Sequence, residues 1–241
     1  MRRAPSALAV LALALPALAH QAPAHEAPAA MEFPLPAPGS YRLPPIQAAP
    51  EGEVLESSGE ARALSAYTRG RITLLGLVYT RCSDPDGCPL ATWAFSEVRA
   101  LLRSDPALER RVRLLTLSFD PDHDRPAVLA AYARRVKGAR RGADWRFVTA
   151  RSRESLAPLL EGFGQDLRVA SDSRSAPGSE EFTHTLKVFL VDPAGAVREI
   201  YSTAYLMPRM IVNDIRTLDR ERPYSAPSAT GTQLQKRLRS P

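Results

Sequence analysis

The sequence predicts an α/β domain built on a mixed sheet, and three observations carry that reading. Strand-like and helix-like patterns alternate from residue 72 to residue 163. The run ITLLGLVY (72–79) is nearly continuously apolar with β-branched residues, as a strand buried on both faces should be. Near the end of the chain two strand-like runs flank Pro193-Ala194-Gly195, a hairpin pattern that adds antiparallel pairing to a sheet otherwise built by crossovers.

The elements follow in order. After the first strand, PLATWAFSEVRALLRS (89–104) places Leu90, Trp93, Val98, Leu101 and Leu102 near helical spacing, with Pro89 suited to the first turn. VRLLTLSF (112–119) reads as a second strand. Residues 125–137 read as a second helix, with Asp124 or Arg125 at its start. WRFVTA (145–150) is a third strand, and SRESLAPLLEGF (152–163) a third helix that Pro158 is placed to kink or divide. A polar loop over 170–181 leads to LKVFLVD (186–192), its hairpin partner AVREIYS (196–202), and a closing helix at 207–219. No internal repeat is present.

The ends have a different composition. MRRAPSALAVLALALPALA reads as a signal peptide over 1–19: Arg2 and Arg3 supply the positive start, and Ala17-Leu18-Ala19 is a small-residue cleavage site before His20. The apolar stretch is shorter than the about 20 residues a membrane span needs. No cysteine lies near the cut to carry a lipid. The expectation is an exported protein of a bacterial periplasm, with no permanent membrane anchor. Residues 20–50, rich in Ala and Pro, read as a flexible linker, and 223–241 as a disordered tail. Between them, 51–222 is one domain by size. Cleavage removes Arg2 and Arg3 and takes the formal charge from +6 to +4. The arginines are scattered rather than striped, which with export argues against nucleic-acid binding.

Chemistry concentrates in VYTRCSDPDGCPLATW. Its Cys82 and Cys88 are the chain's two cysteines. They lie where a strand gives way to a helix, and there the helix dipole favours a thiolate. Three roles are open. A structural disulfide is the plainest in an oxidising compartment, although closing so small a loop contributes only about 2 to 3 kcal/mol. Thiol–disulfide exchange is the second: Arg81 would lower a thiol pKa, and Asp84 and Asp86 would oppose it. Metal binding is the third. Two thiolates are soft ligands for copper(I), and adding a neutral imidazole suits copper in either oxidation state. Asp84, Asp86 and Asp122 would add negative potential around the approach.

The histidines bear on that choice. His184, in EEFTHTLKVFL, precedes the 186–192 strand. In a thioredoxin-type sheet this position packs beside the redox cysteines. A thiol oxidoreductase of that kind has a cis-proline there, and this chain has His184-Thr185. His123, in DPDHDRP, reads as a solvated loop residue. His20 and His25 fall in the leader, where a mature N-terminal histidine can chelate copper through its amine and ring.

Four segments in order, VYTRC…CP, SFDPDHDRPAVLAAYA, FTHTLKVFLVDPAGAV and the final helix, resemble the Sco/SenC family over about residues 70–220. The resemblance implies a thioredoxin-like three-layer fold with a mixed central sheet and flanking helices. It implies copper, Cu(I) or Cu(II), held by Cys82, Cys88 and His184. It also implies delivery to the CuA centre during cytochrome c oxidase assembly, so the expected partner is the CuA-bearing subunit or another cuproprotein client. Some members act as thiol reductants for that centre instead. A periplasmic thiol reductant is a second expected partner, because a Cys82–Cys88 disulfide removes both anionic ligands. Asp120 matches the aspartate after the family's second strand and is expected to orient a ligand or shape the copper loop. Tyr79 and Thr80 are expected to set the position of Cys82. The family usually has three residues between its cysteines; here Ser83 to Gly87 intervene, and Pro85 and Gly87 suit a turn that absorbs the extra length. The alternative reading is a periplasmic thiol–disulfide oxidoreductase acting without metal. The fold is shared with peroxiredoxins, but the chain has no clear peroxidatic motif.

Overall fold

A computed structural model describes residues 34–139, 142–169 and 182–221. Its elements run β1 Gln47–Ala48, β2 Glu53–Glu56, β3 Ala61–Ala63, α1 Ser65–Thr68, β4 Ile72–Val78, α2 Cys88–Leu102, α3 Pro106–Arg111 and β5 Val112–Ser118. There follow α4 Pro126–Lys137, β6 Asp144–Thr149, α5 Arg153–Gly162, β7 Leu167–Val169, β8 Phe182–His184, β9 Val188–Val191, β10 Ala196–Tyr201 and α6 Pro208–Arg220.

One sheet of eight strands has the order β1-β10-β9-β4-β5-β6-β2-β3, and β7-β8 form a separate hairpin. The centre is parallel: Ile72 of β4 pairs with Val112 of β5, and Arg113 of β5 with Asp144 of β6. β9 joins β4 antiparallel and β10 joins β9, so the sheet is mixed, as the closing hairpin predicts. All seven residues of β4 are buried, which explains its unbroken apolar sequence.

The sheet is covered on both faces. On one, Phe95 of α2 lies over Gly76, where a Cβ would come within 3.0 Å of the ring. Phe95 meets Trp145 at 5.9 Å, and Tyr132 of α4 meets Phe147 at 6.0 Å. α6 packs beside α2 on this side. On the other face Phe163, at the end of α5, stacks on Phe189 at 4.7 Å. Pro158 sits inside α5 without dividing it.

Several elements depart from expectation. The flexible linker expected over 20–50 is corrected for residues 34–50, which form an ordered strap. β1 pairs with β10, the Ile46 and Ala49 N–H groups donate to Val197 and Gly195 at 2.8 Å, and Leu43 is buried. The Tyr41 hydroxyl donates to Asp214 at 2.5 Å, and Tyr201 donates to the same carboxylate at 2.7 Å. Burial and these contacts raise the Tyr41 pKa to about 12. Arg198 holds the strap from beneath: its guanidinium donates to Leu43 O and to the carboxylates of Asp192 and Glu221. An Ala/Pro-rich composition disfavours a core of its own, but it leaves a few apolar side chains and main-chain donors that an existing sheet edge can take up. Residues 20–33, the leader and the tail beyond 221 lie outside the described residues.

The β2–β3 hairpin and α3 are additions to the expected elements. β3 is an exposed edge strand without an alternating pattern, and α3 is a six-residue turn of helix whose start is capped by Asp105, accepting from Leu108 N at 3.0 Å. The polar loop expected over 170–181 lies outside the described residues. His184 belongs to the small β7–β8 hairpin, opposite Leu167, rather than simply leading into the next strand.

Candidate metal centre

The cysteines sit at the carboxyl end of β4, where open α/β sheets place their ligand sites. β4 ends at Val78, Tyr79 to Gly87 form the loop, and Cys88 is the first residue of α2, with Pro89 next. The intervening residues close a tight turn: Asp84 Oδ1 accepts from Asp86 N at 3.0 Å and Asp84 O accepts from Gly87 N at 3.1 Å. That turn absorbs the long spacing and leaves Asp84 and Asp86 exposed. Cys82 and Cys88 are in the dithiol state.

The two sulfurs are chemically unequal. Cys88 is 1% exposed, and its sulfur accepts from Tyr79 N at 3.4 Å. Cys82 is half-buried and faces a cavity of about 400 Å³ bounded by Pro89, Trp93, Tyr132 and Arg135. The Cys88 thiol donates to the Cys82 sulfur, and this bond chiefly pulls the Cys82 pKa down to about 6, with help from main-chain groups of Cys88 and Asp84 and from Tyr79. The same bond, together with burial, pushes the Cys88 thiol far up. Position at a helix start therefore does not by itself create the thiolate; at Cys88 the sulfur–sulfur hydrogen bond and desolvation outweigh the dipole.

Arg81, expected to activate a thiol, instead donates to Asp120 Oδ2 at 2.7 Å, and that carboxylate is completely buried. Asp120 thus holds the residue next to Cys82. Asp124 does the same one residue earlier, at Thr80. Fully buried, it accepts from Thr80 N at 2.9 Å, from the Thr80 hydroxyl, and from Ser118 Oγ at 2.6 Å. Its one sequence signal is a third aspartate in DPDHD. Asp122 pairs with Arg153 at 2.5 Å, and His123 is exposed on the same loop.

The hairpin carrying His184 is pinned against this loop. Phe182 meets the Tyr79 ring edge-on at 5.2 Å and Phe119 at 5.6 Å, with the Arg153 guanidinium 5.6 Å from its ring centre. Fold and register thus bring Cys82, Cys88 and the strand bearing His184 to one end of the sheet; the His184 side chain itself lies outside the described part. Among the described residues no three His, Cys, Asp or Glu side chains gather into a metal cage. His20 and His25 lie outside them.

Thiol reactivity should reflect the asymmetry. A thiolate forms as pH rises through the pKa, so alkylation of Cys82 should rise with a midpoint near its pKa of about 6, with Cys88 protected through neutral pH. Peptide mapping after iodoacetamide pulses checks this; a Cys82 midpoint at the ordinary thiol value of about 8.5 would contradict the hydrogen-bonded pair.

A mixed sheet covered on both faces, with a cysteine pair between the first central strand and its helix, defines a thioredoxin-like protein. The SCO1/SenC family model matches residues 53–219, and the chain belongs to that family. Solved structures agree on the fold. Arabidopsis thaliana ScoI with copper bound is 14% identical, with 73% of this chain and 100% of that one covered and a TM-score of 0.60. Apo Sco1 from Thermus thermophilus is 23% identical over 76% of this chain and 98% of that one, TM-score 0.60. BsSco, described as having a disulfide switch and as a member of the Sco family of cytochrome c oxidase assembly proteins, is 20% identical over 76% of this chain and 100% of that one, TM-score 0.57. No curated protein matches the chain by sequence. Among the described residues, no helix is long and apolar enough to cross a membrane.

Proposed function

We propose that this protein is an exported copper carrier that takes one copper ion as cargo through Cys82, Cys88 and His184. It would deliver the ion to the CuA site of cytochrome c oxidase, or to another cuproprotein client, or reduce that site. The observation that carries the reading is that Cys82 and Cys88 line one cavity at the rim of the sheet, with the His184 hairpin clamped to the same loop through Tyr79 and Phe182. The donor chemistry fits: two soft sulfurs and an imidazole suit copper in either oxidation state. Family membership and the copper-bound Arabidopsis relative support it.

Loading displaces the protons of the thiols, so binding should weaken as pH falls. The Cys82–Cys88 disulfide removes both anionic donors, so loading requires a thiol reductant. Transfer would proceed by exchange of these sulfurs for cysteines of the client. The periplasm, reached by a cleaved signal peptide over 1–19, is the compartment this requires. Asp120 would shape the loop through Arg81 rather than by touching the ion.

Anaerobic titration of the reduced protein should give one equivalent of copper. Replacing His184 with Ala should weaken binding by at least about tenfold. Unchanged affinity for both copper(I) and copper(II) in that variant would refute the three-ligand site. A second reading, a thiol–disulfide oxidoreductase, is favoured by one observation: a half-exposed, low-pKa Cys82 beside a buried, high-pKa Cys88 is the arrangement of an attacking and a resolving thiol. Efficient metal-free turnover of dithiol substrates, with negligible copper binding, would establish it instead.

A further inference from the structure

α5 ends in a turn that reaches the histidine strand. Gly164, at φ 60°, lets the chain reverse. Its N–H donates to Glu161 O at 2.8 Å, and the next N–H, of Gln165, donates to Leu160 O at 2.8 Å. Two such bonds around a left-handed glycine close the helix end, and Phe163 stacked on Phe189 fixes that end to the sheet. From here two groups cross to the chain just after His184. Gln165 Nε2 donates to Thr185 O at 3.0 Å, and Gly164 O accepts from the Lys187 ammonium at 2.5 Å. Gln165 is 5% exposed, and its Oε1 is buried without a partner among the described residues.

We propose that Gln165 is a positioning residue: through Thr185 its amide fixes the His184 strand relative to the cysteine loop, and so sets how tightly copper is held. This rests on the reading of His184 as the third copper donor and adds the residue that anchors its strand. β7 and β8 stand apart from the eight-stranded sheet, so no ladder of that sheet fixes their place. The ladder between them ends at the Leu167–His184 pair. Thr185 to Lys187 then run without strand pairing until β9 begins at Val188. The Gln165 amide adds a cross-link immediately beyond that last pair. At the other end of β8, Phe182 packs on Tyr79 and Phe119. A three-residue strand held at both ends keeps its place; held at one end it can pivot. The unpaired oxygen supports the same conclusion. A buried acceptor without a partner is destabilising, and an apolar side chain of the same size would avoid it. Packing therefore does not account for an amide at this position, whereas its bond to Thr185 does.

Gln165→Met keeps the size of the side chain and removes the amide. Thr185 is exposed, so its carbonyl can turn to water, and the strand is released without unfolding the domain. In the metal-free full chain, hydrogen exchange over residues 182–187 should be about tenfold faster than in wild type. In the reduced protein, competition against a copper(I) chelator should show binding weakened about tenfold. The same substitution in a His184→Ala background should weaken binding by less than about twofold, because the donor it positions is already gone. A merely structural glutamine would lower affinity equally in both backgrounds. Equal losses, or a folded Gln165→Met protein within about twofold of wild type in exchange or in affinity, would overturn the proposal. Wild-type protein that takes up no copper would overturn the copper reading together with this role; unchanged exchange beside normal copper uptake would overturn this role alone. Should Gln165→Met not fold, Gln165→Asn, one methylene too short to reach Thr185, is carried through the same measurements with the same outcomes.

Discussion

Serine in place of Cys88 is expected to lower copper affinity by more than about 100-fold while leaving Cys82 reactive. The estimate follows from what metal sites lose when only a supporting partner is removed, about 10- to 100-fold; loss of a donor atom itself exceeds that. A serine hydroxyl is a hard, protonated oxygen that cannot replace a thiolate toward copper(I). The change is sterically mild. Cys88 is 1% exposed at the start of α2, so its replacement costs folding about 1 to 3 kcal/mol for a buried hydroxyl and no more. A hydroxyl in that place can still donate to the Cys82 sulfur. The variant therefore separates two properties: it cannot form the disulfide and should not hold copper, yet Cys82 should still alkylate below the ordinary thiol range. Competition against a copper(I) chelator reads the affinity. Retention of copper within about threefold of wild type would mean that Cys88 is a buried structural thiol and that the donor set is wrong.

The second large effect is expected at Asp124. Replacing it with Ala leaves the Thr80 N–H, the Thr80 hydroxyl and the Ser118 hydroxyl without their acceptor inside the protein. Each stranded buried donor costs about 1 to 3 kcal/mol, less where the loop relaxes or water enters. The net loss should be about 3 kcal/mol or more, which for a domain of this size lowers the melting midpoint by about 6 to 12 °C. Asn is expected to rescue little. It keeps one acceptor oxygen but turns an NH₂ toward donors. The loss should also reach the site, since Thr80 is two residues from Cys82 and this carboxylate fixes the chain where β4 ends. Calorimetry with copper titration on the same sample tests both parts. A midpoint within about 2 °C of wild type would show that the loop does not depend on the carboxylate.

The sequence and the structure agree best where the physics is local. β4 and β5 are legible because strands buried on both faces need apolar side chains throughout, and α2 because Pro89 and the spacing of Leu90, Val98 and Leu102 mark one start and one buried face. The two cysteines are legible because the chain has no others. The strap over 34–50 is not, because a Pro-rich segment shows only that it lacks a core of its own; whether a sheet edge accepts it depends on Val197 and Gly195, about 150 residues later. Asp124 is equally hidden. In the sequence it is one aspartate among three in DPDHD, and nothing local distinguishes the one that is buried beneath Thr80 from Asp122, which reaches out to Arg153.

By itself the sequence determined the alternation of elements, the mixed character of the sheet and the place where the cysteines must lie, since periodicity and turn chemistry act over a few residues. Only the tertiary structure decided which sulfur is half-exposed and which is buried, that Arg81 serves Asp120 rather than a thiol, and that Tyr79 links the cysteine loop to the strand of His184. Those outcomes depend on burial and on hydrogen bonds between groups remote along the chain. Their strength is set by how completely water is excluded, and that is fixed only when the layers close.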